Sequence, residues 1–135
     1  MQQFTRHEAA VLDQVDAAPM LAQVQAWSAI NTGTGNLPGL VRQAAELAEA
    51  FSALPGAVTL EEPAPVSAIT PAGEEAPVSY GKHLVLRVRP EAQRRFLLTG
   101  HMDTVFPASH PFQEQAWLDE QTLNGPGVAD MKGGI

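Results

Sequence analysis

The pattern of apolar positions predicts two helical segments near the start of the chain. Thr5 followed by Glu8 fits a capping box, and apolar residues recur at helical spacing across residues 11–27. Pro19 is unfavourable inside a regular helix but favourable in a first turn. We therefore expect two helices that break near residues 16–18, or one kinked helix.

A third helix is predicted from about residue 37 to residue 54. Asn36 is its candidate N-cap, and its apolar residues form one stripe, which consists of Leu40, Ala44, Leu47, Phe51 and Leu54. The turn-rich loop 29–36 contains Gly33-Thr34-Gly35, a run that also occurs in phosphate-binding loops. No predicted strand precedes this loop and no Gly-Lys-Ser/Thr follows it, so we do not expect phosphate binding there.

The second half of the chain is predicted to contain the strands. Residues 57–62 form a first strand, whereas the prolines of residues 63–80 favour a loop or at most an edge strand. Residues 82–89 alternate between apolar and polar side chains, as a half-exposed strand does. Residues 95–100 begin a strand whose run Phe96-Leu97-Leu98 predicts burial on both faces.

The last predicted elements are a hairpin and a glycine-rich turn. Residues 112–117 and 122–124 are expected to form the hairpin. Helices followed by strands, with a buried strand that ends in polar residues, predict an α/β fold. We expect the functional site at the carboxyl end of that buried strand.

Composition narrows the chemistry of the site. The 135 residues fit one domain, with 44% hydrophobic and 17% charged residues. Because cysteine is absent, a metal would have to be held by His, Asp and Glu. The net charge of -7 argues against a nucleic-acid partner.

Five of the cations form a local cluster in the sequence, which consists of Lys82, Arg87, Arg89, Arg94 and Arg95. This cluster fits a solvated strand face better than an anion-binding site.

The N-terminal residues 1–8 lack the basic stretch and apolar core of a secretory signal. No apolar run reaches the roughly 18 residues of a membrane span. We therefore expect a cytoplasmic protein without membrane contact.

His101 and Asp103 form a His-x-Asp pair at the end of the predicted buried strand. Residues two apart in a strand share a face, so the carboxylate could orient the imidazole of a metal-binding histidine. A strand-end histidine solvated beside an aspartate is the alternative, because this pair often occurs by chance. We assign no role to His7, His83 or His110.

Asp130 lies in a second segment in which glycines stand on both sides of it. Glycine permits positive φ angles and close backbone approach, so four of them near one carboxylate predict a tightly packed turn. A carboxylate held there, beside the His-Asp pair, could bridge two divalent metals about 3.5–4 Å apart. An exit loop of the hairpin is the alternative.

Together, residues 99–105 (TGHMDTV) and 125–134 (GPGVADMKGG) resemble the two N-terminal metal motifs of a dinuclear zinc peptidase family. The family includes glutamate carboxypeptidase, acetylornithine deacetylase and succinyl-diaminopimelate desuccinylase. The loop 31–36 and the helix after it resemble the glutamate carboxypeptidase branch. The resemblance covers nearly the whole chain and is weakest across residues 63–80.

The resemblance implies a role for each site residue. His101 would bind one of two divalent metal ions, most readily zinc, Asp103 would be the catalytic residue that orients His101, and Asp130 would bridge both metals. The peptide bond after Asp130 would be cis, and Lys132 would be structural. The implied fold is the N-terminal part of a three-layer zinc-exopeptidase domain, with a mixed central sheet flanked by helices.

Members of this family continue after the second motif with a Glu-Glu pair, further metal ligands and a lid domain. We therefore expect residues 1–135 to be the N-terminal portion of the catalytic domain, inactive alone. The implied activity is cleavage of amide bonds in small peptides or N-acyl amino acids, and a homodimer stays open for the full-length protein. The alternatives are a non-catalytic truncated module and an aminopeptidase of similar fold.

Overall fold

The three predicted helices are present in the structure, a computed structural model that describes residues 4–135. The first three residues of the N-terminal stretch lie outside this range. The helices are α1 (Arg6–Leu12), α2 (Ala17–Ser28) and α3 (Leu37–Phe51). No helix among residues 4–135 is long and apolar enough to cross a membrane.

Side-chain caps fix where the first two helices begin. Thr5 and Glu8 form the predicted capping box, in which the Thr5 hydroxyl accepts from the Glu8 amide and the Glu8 carboxylate accepts from the Thr5 amide at 2.7 Å. Asp16 caps α2 by accepting from the Ala18 amide at 3.0 Å. Pro19 then lies in the first turn, so the predicted break between two helices is confirmed.

The strands form three separate two-stranded antiparallel sheets among the described residues. The pairs are β1 (Ala57–Glu61) with β4 (His83–Arg87), β2 (Val66–Ile69) with β3 (Glu75–Val78), and β5 (Ala116–Trp117) with β6 (Leu123–Asn124). The predicted combination of helices and strands is thus present as a small mixed fold. Across residues 4–135 the strands do not join into one mixed sheet.

One strand prediction is confirmed and one needs correction. The proline-rich segment, expected to be a loop or at most an edge strand, contains the β2–β3 hairpin, whose two strands are both edges and therefore accommodate Pro77. The strand predicted for residues 95–100 is absent. The side chains of Phe96, Leu97 and Leu98 are 89%, 88% and 92% exposed. The prediction of a strand buried on both faces is wrong here, because no described strand or helix lies beside this segment to pair with it or bury it.

The buried core is small and lies where the end of α2 meets α3. It contains five apolar residues, which are Trp27, Ile30, Leu40, Ala44 and Leu47. The total accessible area is 10538 Å², against about 6,800 Å² for a typical folded monomer of this mass. The structure therefore leaves much apolar surface uncovered, including all of α1, which has no buried residue.

One charged side chain lies inside this core. Lys132, in a short 3₁₀ helix (Lys132–Gly134), is 1% exposed, and its ammonium donates to the carbonyls of Trp27 at 2.8 Å and Ile30 at 2.7 Å. These acceptors lie in the last turn of α2 and two residues beyond its end, where a positive charge is favourable. Burial lowers the pKa of Lys132 to about 8, so the group is still mostly charged at neutral pH.

Replacing Lys132 should test this contact. We expect Lys132→Met to lower the free energy of unfolding by about 2–4 kcal/mol, because the Ile30 carbonyl loses its donor and the Trp27 carbonyl keeps only its backbone donors. Urea unfolding followed by tryptophan fluorescence measures it, since the Trp27 carbonyl is one of the acceptors. The control is Lys82→Met, which removes an exposed ion pair with Glu62 and should cost less than about 1 kcal/mol. Equal losses in the two variants would contradict the structural role of Lys132.

Candidate metal centre

The glycine-rich segment after β6 folds back against the carboxyl end of α2. The Ser28 hydroxyl, which is buried, donates to the Pro126 carbonyl at 2.7 Å. Within the segment, the Lys132 amide donates to the Gly127 carbonyl at 2.8 Å, and the Lys132 side chain returns to α2. The loop that carries Asp130 is thus fixed at both ends to the same helix.

The predicted crowding around these glycines is present. Gly127 has a φ of +73°, and a Cβ there would lie 3.0 Å from the Thr104 Cγ2 atom. A Cβ on Gly125 would lie 2.8 Å from the Gln115 Cγ atom. The peptide bond between Asp130 and Met131 is cis, as the resemblance implies.

The segment that carries His101 and Asp103 is held by the loop between α2 and α3. Thr104 forms an isolated parallel bridge with Gly33. In this bridge the Thr104 amide donates to the Thr32 carbonyl at 2.9 Å and the Thr34 amide donates to the Thr104 carbonyl at 3.1 Å. The two predicted site residues are therefore anchored although the strand predicted before them is absent.

His101, Asp103 and Asp130 meet around one imidazole. The Nδ1 atom of His101 lies 3.0 Å from the backbone carbonyl oxygen of Asp103 and 3.2 Å from its carboxylate oxygen Oδ1. The Nε2 atom lies 3.0 Å from the Asp130 Oδ1 atom. The structure thus brings the three residues singled out in the sequence together, with one aspartate at each ring nitrogen.

The two carboxylates change the protonation of this ring. Partial burial lowers the pKa of His101. The hydrogen bonds to Asp130 and to the Asp103 carbonyl, together with the charges of both carboxylates, raise the pKa by more than burial lowers it. The net pKa lies above the ordinary 6.5. The His101 side chain is 47% exposed, and the Asp130 side chain next to Nε2 is 87% exposed.

The donor set fits part of a metal site. Asp130 and the Nε2 atom of His101 converge from the solvent side, whereas Asp103 lies behind the ring at Nδ1. Ligand atoms of a tetrahedral zinc lie about 3.3–3.5 Å apart, so the observed 3.0 Å needs only a small widening. Across residues 4–135, no group of three or more His, Asp or Glu side chains is arranged to hold one metal ion.

A cleft of about 280 Å³ opens beside these donors. Its walls include His101, Asp103, Asp130, Val105 and Phe106. A larger and more open groove of about 440 Å³ lies between α2 and the β5–β6 hairpin, where Leu21, Trp117 and Leu123 form much of its wall. The smaller cleft is the better candidate for chemistry because the titratable groups converge there.

Sequence reasoning did not assign Thr34 to the site. Its hydroxyl donates to the Asp103 Oδ2 atom at 2.7 Å. The pairing of residues 69 positions apart has no local sequence signal, because it depends on the parallel bridge at Gly33. Of the histidines left without a role, His83 is exposed on β4 and the His110 ring packs 5.0 Å from that of Phe106.

The raised pKa of His101 can be tested without metal. We expect Asp130→Asn to lower it, because the substitution removes a negative charge next to Nε2. The stabilisation that these contacts provide should be full below pH 6.5 and lost as the pH rises through the folded-state pKa. NMR titration of the ring protons measures the pKa, and Asp13→Asn, at an exposed position, is the control. An unchanged pKa in Asp130→Asn would show that the Nε2 contact is not formed.

Comparisons with protein-family models, with curated proteins and with solved structures gave no match to this chain.

Proposed function

We propose that His101, Asp103 and Asp130 belong to the metal centre of a hydrolase that cleaves amide bonds in small peptides or N-acyl amino acids. The observation that carries the proposal is the position of the His101 ring, with Nε2 at 3.0 Å from Asp130 and Nδ1 at 3.2 Å from the Asp103 carboxylate. The resemblance of the two motifs to a dinuclear zinc peptidase family supplies the reaction class.

Asp103 contacts the imidazole of His101 at Nδ1, whereas Asp130 lies at Nε2. The backbone carbonyl of Asp103 accepts at Nδ1, and its carboxylate oxygen Oδ1 lies 3.2 Å from the same nitrogen, which together favour a proton on Nδ1 and leave the lone pair of Nε2 free for a metal ion on the Asp130 side. The carboxylate also increases the basicity of the ring. Asp103 is therefore a positioning residue in this proposal, and the metal-binding atoms are Nε2 of His101 and the carboxylate of Asp130.

Asp130 is suited to bind metal because its backbone is fixed while its carboxylate is open to solvent. The flanking loop is tied to α2 through Ser28 and Lys132, yet the Asp130 side chain is 87% exposed. A carboxylate has two oxygens, so Asp130 can bind one ion or bridge two. A finer expectation, that these residues form the edge of a three-layer zinc-exopeptidase domain, is part of the same proposal.

The metal would supply a Lewis acid that polarises an amide carbonyl and makes water acidic enough to act as a nucleophile near neutral pH. The residues of this chain bind and orient, and the cleft of about 280 Å³ gives a small acyl or amino-acid group a place beside Val105 and Phe106. In the family that the motifs resemble, a glutamate beyond the second motif accepts the proton from water. We propose the same assignment of roles here.

Zinc titration of the 135-residue chain tests the donor assignment. We expect weak binding, because two protein donors cannot complete a zinc site, and we expect His101→Ala and Asp130→Ala each to abolish it. Isothermal calorimetry measures the affinity, and His83→Ala on the exposed face of β4 is the matched control. Sub-micromolar binding of two zinc ions, or binding that survives both substitutions, would overturn the assignment.

Asp103→Asn provides a graded test of the positioning role in the same titration. The amide keeps the size of the side chain but loses its charge, and we expect zinc affinity to fall about 10–100-fold. Asp13→Asn, a charge-matched change at an exposed position, should leave the affinity unchanged. An affinity equal to that of the unmodified chain would show that Asp103 does not act through His101.

The coding sequence after the codon for Ile135 separates the enzyme from a non-catalytic module. We expect a Glu-Glu pair roughly 30 residues further on, an expectation that comes only from the family resemblance. A stop codon at that point would favour the module. If the Glu-Glu pair is present, hydrolysis of N-acyl rather than free-amine substrates by the encoded protein would exclude an aminopeptidase.

A further inference from the structure

We propose that Thr34 is a positioning residue that fixes the Asp103 carboxylate and, through it, the orientation and tautomer of His101. Thr34 donates its hydroxyl hydrogen to the Asp103 Oδ2 atom at 2.7 Å, and the other oxygen, Oδ1, faces the His101 Nδ1 atom at 3.2 Å. The two oxygens of one carboxylate thus have separate partners. Thr34, Asp103, His101 and Asp130 form a continuous chain of polar contacts that ends at the solvent-facing carboxylate.

The backbone of Thr34 is held next to Asp103. Its amide donates to the Thr104 carbonyl at 3.1 Å, one residue beyond Asp103, and the Thr104 amide donates to the Thr32 carbonyl at 2.9 Å. Gly33 permits this approach, because a Cβ there would lie 2.6 Å from the carbonyl oxygen of Phe106. The hydroxyl therefore reaches the carboxylate from a fixed position.

The loop around Thr34 is also closed on itself. The Asn31 side chain accepts from the Gly33 amide at 3.1 Å, and the Asn36 amide donates to the Gly33 carbonyl at 2.6 Å. Asn36 in turn caps α3 by accepting from the Gly39 amide. The turn-rich loop that the sequence pattern singled out without a function thus links the start of α3 to the candidate site.

The hydroxyl proton of Thr34 has one strong acceptor. The Thr104 carbonyl oxygen lies 3.4 Å from the Thr34 Oγ1 atom, against 2.7 Å for the charged Asp103 oxygen. A charged acceptor at the shorter distance forms the stronger hydrogen bond. Without it, the Asp103 carboxylate, which is 35% exposed, keeps only its contact with the His101 ring to resist rotation toward water.

The consequence for His101 is a change in the balance between its two neutral tautomers. In the metal-free chain, Asp130 attracts a proton to Nε2, whereas the carbonyl and carboxylate of Asp103 attract it to Nδ1. Metal binding requires a free lone pair at Nε2. A carboxylate locked by Thr34 favours the Nδ1-protonated ring and so prepares His101 for metal. This last step rests on the proposed function, whereas the effect on the tautomer does not.

Three variants separate the effect of the Thr34 hydroxyl from the effect of packing around it. Thr34→Val keeps the shape and removes the donor, and Thr34→Ser keeps the donor and removes the methyl group. Thr32→Val is the control, because the Thr32 hydroxyl lies in the same loop, is buried and has no hydrogen-bond partner in the structure. Thermal unfolding of each variant checks that the fold is kept.

The direct readout is the His101 tautomer in long-range proton–nitrogen NMR spectra of the metal-free chain at alkaline pH, where the ring is neutral. We expect Thr34→Val to increase the fraction with the proton on Nε2, Thr34→Ser to restore the original fraction and Thr32→Val to leave it unchanged. An identical tautomer ratio in Thr34→Val and the unmodified chain would overturn the proposal. A shift that Thr34→Ser fails to reverse would also overturn it, because the effect would then come from packing.

Zinc titration of the same variants distinguishes this proposal from the proposed function. We expect Thr34→Val to weaken zinc binding roughly 3–10-fold, less than the 10–100-fold typical when an orienting partner is removed outright. If the tautomer ratio shifts in Thr34→Val, but neither the unmodified chain nor any variant binds zinc through His101, the role of Thr34 stands and the metal function fails. If zinc binds through His101 and Asp130 but neither readout responds to Thr34→Val, the metal function stands and the role of Thr34 fails.

Discussion

The buried ammonium group of Lys132 is the contact on which the candidate site depends. A charge inside a small core is costly unless polar groups surround it, and here two carbonyls at the end of α2 do so. The contact joins the last segment of the described chain to a helix more than 100 positions earlier. Because Asp130 is two residues from Lys132, fixing the ammonium also fixes the backbone from which the Asp130 carboxylate projects.

A second long-range contact positions the other half of the site. The parallel bridge between Gly33 and Thr104 holds the segment that carries His101 and Asp103 against the loop before α3. Neither half is part of a regular sheet, so each is anchored by a few specific hydrogen bonds and by glycines that allow close approach. The imidazole of His101 then spans the two halves, with Asp103 at one nitrogen and Asp130 at the other. This arrangement combines a rigid backbone with side chains that solvent and ligands can reach.

Local signals in the sequence were sufficient to predict the helices and to single out three residues that the structure brings together. The Thr5 and Asn36 caps, Pro19 and the apolar stripe of α3 each depend on residues a few positions apart, and they are present except that α3 ends at Phe51 and leaves Leu54, the last residue of the predicted stripe, 47% exposed. The prediction that the run Phe96-Leu97-Leu98 is buried is wrong. Burial depends on what packs against a segment, and the sequence of the segment does not contain that information. The Thr34 and Lys132 contacts join distant segments, so no local pattern could have assigned their partners, although the structural role expected for Lys132 agrees with its burial.

The central claim is that His101 and Asp130 are ligands of the same metal ion. Anomalous scattering at the zinc edge from crystals of the chain soaked in zinc would locate the ion directly. The claim predicts a zinc peak within about 2.0–2.2 Å of both the His101 Nε2 atom and an Asp130 carboxylate oxygen, with Asp103 still on the Nδ1 side. A peak at His83 or His110 instead, or at the Nδ1 atom of His101, would contradict it.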